Sequence, residues 1–232
     1  MLWLDTDEQL EVILTNGFVI GNGTSREGFD LSWLRGRGIS IGCNYIWHDF
    51  MPDYVVTIDE EPVRKTQAYL AHNPGSFRHV YREMVHEPGE RWGRNYLCDG
   101  EITIKAKYLN DGINNNSGVA AAAYLAEVLN CDTIYLIGID FFRQTDEGRN
   151  DIYCGRICYS QGIVDAWNHL FAKNHDRKFV RVGPIAERDE SFYENDLFEL
   201  WLCDSFEEFQ HHVDTRRCKD ANRHGESSVP GV

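Results

Sequence analysis

Ile20-Gly21-Asn22-Gly23-Thr24-Ser25 places a glycine-rich turn directly after a short apolar run. Glycine lets the backbone approach a phosphate closely, and unpaired N–H groups then bind the anion. The motif is shorter than the full dinucleotide fingerprint, because Arg26 stands where a third glycine belongs, and tight turns of this kind also follow strands that hold no ligand. Asn114-Asn115-Asn116-Ser117-Gly118 opens an alanine-rich stretch. The first turn of a helix exposes unpaired N–H groups and the positive end of the dipole, so a phosphate or ribose is well placed there. One asparagine or serine is enough to cap such a helix, and three asparagines before a serine exceed that need. Cys43-Asn44 and Ile58-Asp59 each close another apolar run. The Asn44 amide can read a base or ribose hydroxyl, and Asp59 can accept from ribose or hold magnesium. Gly138-Ile139-Asp140-Phe141-Phe142 closes a further run, where Asp140 either holds the neighbouring loop or faces substrate.

Each of these motifs alone is equally an ordinary strand-end turn. They gain meaning only if the fold brings them to one rim, and the elements between them predict that. Phe18–Ile20, Ile39–Ile41, Tyr54–Ile58, Thr133–Ile137 and Lys178–Val182 are short apolar runs ending abruptly at Gly, Asn or Asp. This suits parallel strands buried on both faces, whose C-terminal ends carry polar loops lining a crevice. Phe77–Tyr81 and Ile102–Ala106 are further strands, the second at an edge. Helices are expected over Glu8–Leu14 (ended by Asn16-Gly17), Pro62–Ala71, Ser117–Asn130, Ile163–Lys173 and Asp204–Val213. Residues Glu87–Gly100, rich in Gly, Arg and aromatics, read as a lid-like surface insertion. The expectation is an α/β protein with a Rossmann-like, mostly parallel sheet flanked by helices. It forms one nucleotide-binding domain over 1–218, and 219–232 is a flexible polar tail.

The 232 residues are 42% hydrophobic and 12% aromatic, enough for a sizeable core. The net charge of −14 argues against general nucleic-acid binding, which draws on a basic surface. A local basic pocket for one nucleotide is compatible with it. The longest apolar run, Val119–Ala123, is far short of a membrane span, and the N-terminus lacks the basic start and apolar core of a signal peptide, so a cytoplasmic location is expected. Seven scattered cysteines suggest no disulfide framework, and the closest pair, Cys154 and Cys158, lacks zinc-site spacing, so they read as small buried hydrophobes. No metal ligand set is assigned. Association into a homo-oligomer stays open.

Three blocks resemble the bacterial family-42 sialyltransferases and their wider relatives, which include a domain of the archaeal pterin diphosphokinase and many phage and bacterial proteins. They are Val19–Ser25, Gly42-Cys43-Asn44, and Asn116-Ser117-Gly118-Val119 through Ile134–Phe141, in order over residues 18 to 142. The resemblance implies a Rossmann-like fold with a mobile lid. It implies nucleotide contacts by Asn22, Gly23 and Asn44, and ribose-phosphate contacts at Asn116, Ser117 and Gly118. It implies no metal for a sialyltransferase and magnesium for a diphosphokinase. The chain departs from the transferase pattern in two places. Phe142 stands where they carry a phosphate-facing tyrosine, and no histidine lies between Asp140 and Ser160; Tyr153 and Tyr159 are the hydroxyls in that stretch.

The functional expectation is a glycosyltransferase taking a sugar from a nucleotide-sugar donor. Tyr153, Tyr159 and Arg156 are the candidates to stabilise the departing phosphate, and Asp140 or Asp59 serves as base. Nucleotide contacts come from Gly21, Asn22, Gly23, Asn44, Asp59, Asn116, Ser117 and Gly118. Two alternatives accompany it. One is a magnesium-dependent phosphoryl or diphosphoryl transferase, with Asp59 and Asp140 sharing the ion and Arg143, Arg149 and Arg156 on phosphates. The other is a non-catalytic nucleotide or nucleotide-sugar binder.

Overall fold

The computed structural model describes residues 15–85, 94–98, 103–105, 116–140, 152–153, 161–183, 201–203 and 205–225. Among them, nine strands form one sheet: β1 (Asn16–Ile20), β2 (Ile39–Cys43), β3 (Tyr54–Thr57), β4 (Arg78–Val85), β5 (Arg94–Cys98), β6 (Thr103–Lys105), β7 (Thr133–Ile137), β8 (Lys178–Val182) and β9 (Trp201–Cys203). Four helices accompany them: α1 (Glu60–His72), α2 (Ser117–Glu127), α3 (Gln161–Lys173) and α4 (Phe206–Gly225). The strand order is β6-β5-β4-β3-β2-β1-β7-β8-β9. Every pairing from β4 across to β9 is parallel, and β5 and β6 add an antiparallel margin.

The chain starts at the middle of the sheet and winds outward through β2, β3 and β4. It then returns through α2 to lay β7 against the other side of β1. In register, Val19 of β1 faces Ile41 on one side and Leu136 on the other. This reversal is a topological switch point, and open parallel sheets leave a crevice there beyond the C-terminal strand ends.

Uninterrupted apolar runs explain the central strands. All five residues of β1 and of β7 are buried, as fits strands covered on both faces. One face packs under α2 and α3, with Val19, Ile41, Leu136 and Trp167 among its buried residues. The other packs under α4 and the inner face of α1, with Phe18, Tyr135, Phe209 and Val213. The rings of Phe18 and Tyr135 stack at 5.4 Å, and Phe209 meets Tyr135 edge-on at 5.1 Å. Such pairs add about 0.5–1.5 kcal/mol beyond area burial. In α2 every residue from Gly118 to Ala126 is buried. Its small side chains let it lie close across β1, β2, β3 and β7.

The fold class is therefore the one expected, and several element boundaries are corrected. Asn16-Gly17 belongs to β1 and does not end a helix. A side chain at Gly17 would press on Leu125 at 3.0 Å and Cys131 at 3.1 Å, so its bareness lets the end of α2 settle on β1. Within the expected insertion, Arg94–Cys98 is a strand paired antiparallel to β4. Helix α2 stops at Glu127 and not at Asn130, whose φ of 53° turns the chain left-handed towards β7. Helix α4 continues past Val213 to Gly225. The expected edge strand over Ile102–Ala106 is β6, at the margin of the sheet. Cys43, Cys131 and Cys203 are buried thiols outside any disulfide, and burial with the nearby Asp132 pushes Cys131 up to about 12. The helix expected over Glu8–Leu14 and the Cys154/Cys158 pair lie outside the described residues. Among those described, no helix is long and apolar enough to cross a membrane.

Candidate functional site

The turns leaving β1 and β7 are fastened to each other at the switch point. The Gly21 amide donates to the Ile137 carbonyl at 2.8 Å, and the Gly23 amide to the Gly138 carbonyl at 2.8 Å. A β-carbon on Gly21 would overlap the Gly138 carbonyl, and one on Gly23 would overlap the Asp140 carboxylate. Gly138 itself has a φ of 63°, in the left-handed region. The expectation that these two glycine amides stand free for a phosphate is corrected: they are taken up by β7, and the glycines serve the close approach of two backbones. Arg26, in the place of the missing third glycine, folds back so that its Nε donates to the Gly21 carbonyl at 2.9 Å. Asp140 is buried and accepts from the Ser25 amide at 3.1 Å through Oδ2 and from the Ser25 hydroxyl through Oδ1. Of the two roles read for Asp140, it fills the loop-holding one.

The exit of β2 meets the start of α2. Asn44 adopts a φ of 53°, and its amide donates to the Val56 carbonyl at 2.9 Å. This turns its side chain towards α2, where Nδ2 donates to Ser117 Oγ at 3.3 Å. Asn44 Oδ1 is buried with no hydrogen-bond partner, and so is Oδ1 of Asn22 at the end of β1. Asn116 caps α2 in the ordinary way, accepting from the Val119 amide at 3.1 Å. Gly118 is a packing glycine: an added β-carbon would lie 2.9 Å from Ile139 and 3.3 Å from Trp167.

A third group hangs from the same turns. The Ile152 amide donates to the Asn22 carbonyl at 2.8 Å. Next to it, the Tyr153 hydroxyl donates to Asp49 Oδ2 at 2.6 Å and accepts from Arg26 Nη2 at 3.0 Å, while Arg26 pairs with Asp49 at 3.0 Å. Burial and the bond to Asp49 push the Tyr153 phenol well above its usual range, so it stays a protonated donor at neutral pH. At Asp49, burial works upward, but the bonds from Tyr153 and Arg26 outweigh it and hold the carboxyl below its usual value. Tyr153 also forms one wall of a cleft of about 790 Å³ with Tyr45, Trp47 and His48 after β2 and Arg64, Lys65 and Tyr69 on α1.

The structure thus gathers Gly21, Asn22, Gly23, Asn44, Asn116, Ser117, Gly118 and Asp140 at the ends of β1, β2 and β7, and ties Tyr153 to them. Asp59 stands apart. It precedes α1 beyond the exit of β3, exposed, and its side chain makes no capping bond. The exits of β3 and β7 are three strand spacings apart, about 14 Å at roughly 4.8 Å each. Asp59 and Asp140 thus leave strands that are not neighbours, and the Asp140 carboxylate is already bonded to Ser25. Among the described residues, no three His, Cys, Asp or Glu group to hold a metal ion. Tyr159, Phe142, Arg143, Arg149 and Arg156 lie outside the described residues. The sequence reading missed Arg26, Asp49 and the aromatic cleft. The available signal was Tyr45-Ile46-Trp47-His48, an aromatic run directly after the Cys-Asn turn.

No family model and no curated protein matches the chain. Among solved structures, it is similar to the sialyltransferase CstII from Campylobacter jejuni in complex with a substrate analogue, cytidine-5′-monophosphate. The two are 16% identical, the match covers 72% of this chain and 79% of that one, and the TM-score is 0.39.

Proposed function

We propose that this chain is a glycosyltransferase that binds a nucleotide-sugar at the ends of β1, β2 and β7 and transfers the sugar. The observation that carries the reading is the pair of buried, unpartnered amide oxygens on Asn22 and Asn44, at the ends of the adjacent strands β1 and β2 on one side of the switch point. A buried acceptor left without a donor costs about 1–3 kcal/mol. Base amino groups and ribose hydroxyls are the donors that would offset this cost on binding. The Asn44 Nδ2 donates to the Ser117 hydroxyl, and in this orientation its oxygen is the end left for the ligand. The positive end of α2 lies beside it, where the phosphates of a donor are favoured.

The transfer step is supported by the three blocks that resemble the family-42 sialyltransferases. Tyr153, protonated and tied to the Asn22 turn through Ile152, would donate to the departing phosphate by turning its single O–H away from Asp49, to which it donates in the unliganded site. Asp140, with both oxygens on Ser25, positions the turn and leaves the acceptor proton to another group.

Asn44→Ala and Ser117→Ala test the reading by calorimetry with CMP, UDP, ATP and their sugar conjugates. Removal of Asn44 is expected to weaken the preferred nucleotide by about tenfold or more, the loss of a buried polar contact. Unchanged affinity in both variants sinks the site. Nucleotide binding without hydrolysis or transfer of any sugar conjugate sinks the transferase.

A further inference from the structure

We infer that the aromatic cleft between Tyr45 and α1 is the acceptor subsite, and that the acceptor is a sugar carrying a carboxylate or phosphate. This rests on the transferase reading, since it assigns the second substrate of that site.

The cleft begins one residue after Asn44 in the chain, and Ile152, in its lining, donates to the Asn22 carbonyl, which ties the cleft to the crevice. Its volume of about 790 Å³ suits one or two sugar rings. Its walls are aromatic and already stiff. Trp47 is stacked between His48 at 4.0 Å and Tyr69 at 4.6 Å, and its indole N–H donates to Thr66 Oγ1 at 3.2 Å. Aromatic faces and edges with polar tips suit the C–H faces and hydroxyls of a pyranose.

Charge decides the acceptor class. Arg64 and Lys65 line the cleft on the exposed face of α1, and among the described residues no acidic side chain lines it, in a chain of net charge −14. Lys65 lies 5.3 Å from the Tyr45 ring and pairs with Glu61 at 2.7 Å. That pair is an exposed contact one helical turn apart, which a ligand anion readily replaces. A neighbouring cleft of about 580 Å³ shares Trp47, His48 and Ile152, but there Glu27, Asp30 and Asp49 stand against Arg26 and Arg35, so its charges largely offset and the cationic pair is on the Tyr45 side.

The test measures saturation transfer from the protein's aromatic protons to three probes: methyl glucuronide, a hexose monophosphate and neutral methyl glucoside. At least one charged probe is expected to bind with its C–H face against the rings, and the neutral one far more weakly. Which anion binds tells carboxylate from phosphate. Arg64→Gln with Lys65→Gln should weaken the charged probe about fivefold to tenfold through lost charge-assisted bonds, without unfolding this exposed face. Saturating CMP should leave the probe bound. Equal binding of the neutral sugar, no binding of any probe, indifference to the double variant, or displacement by CMP each overturns the assignment. Displacement would give the cleft to the donor. Nucleotide affinity is read separately on the same protein, so a failed crevice with an intact sugar signal defeats the transferase reading and leaves the anionic sugar site standing.

Discussion

The crevice at the strand ends and the aromatic cleft beside it adjoin at Asn44 and Tyr45, yet they are held together differently. In the crevice, backbone meets backbone. Gly21 and Gly23 are fastened to Ile137 and Gly138, Ser25 is fixed by Asp140, and the polar atoms are buried. In the cleft, side chains from a short turn, a helix surface and Tyr153 lean on one another, and much of the lining is exposed. The residues that shape the crevice also hold the sheet together, so recognition and stability cannot be altered separately there. In the cleft they can.

The largest expected effect breaks the first half of this contrast. Gly21→Ala or Gly23→Ala forces a methyl into the Gly138 carbonyl or the Asp140 carboxylate. The clash should destabilise the fold by about 3 kcal/mol or more, the range of overpacking against unyielding backbone. Lys65→Gln on the cleft rim should stay within about 0.5 kcal/mol. Urea unfolding of the three variants reads the difference, and a Gly21→Ala protein of normal stability would refute the description of the fastened turns.

The buried sheet should also carry a pH dependence. His79 on β4 is 9% exposed, bonds Thr57 Oγ1 at 2.6 Å, and burial pushes it down to about 4. The native state thus resists a proton that the unfolded chain accepts near pH 6.5. This contribution is fully present above about pH 6.5 and is lost as pH falls towards 4, at about 1.4 kcal/mol per pH unit. Between pH 6.5 and 5 the loss is about 2 kcal/mol. Unfolding of the native protein and of His79→Gln at both pH values should show the slope shrinking in the variant; an equal slope assigns the effect elsewhere.

The smallest effect sharpens the border between the two regions. Tyr153→Phe removes the bonds to Asp49 and Arg26. The stability cost should stay near or below 1 kcal/mol, because the Asp49 side chain is 41% exposed and water replaces the lost donor. The Asp49 carboxyl should rise towards its ordinary value, readable by carbon NMR titration. An unmoved Asp49 would mean that Arg26 alone holds it down.

This division also explains what the sequence disclosed. The crevice was legible because its parts are short and local: an apolar run ending in Gly-Asn-Gly, Cys-Asn or Gly-Ile-Asp marks a buried parallel strand and its exit. The purpose of those glycines was not legible, since a glycine that frees an amide for a phosphate and one that admits a neighbouring strand look alike in sequence. Asn116 shows the same ambiguity between cap and ligand contact, settled in part by its bond to Val119. The cleft stayed hidden because Tyr45, Lys65 and Tyr153 come from three distant segments. Only the lay of α1 against the turn after β2 brings them together, and no periodicity records that.

The sheet's two margins have a bearing on how copies of the molecule meet. Among the described residues, strand β6 at one side and β9 at the other each span three residues. A lateral strand that short offers little template for an incoming chain, although the sheet between them is nine strands wide. Runaway ribbon growth from either side is thereby discouraged.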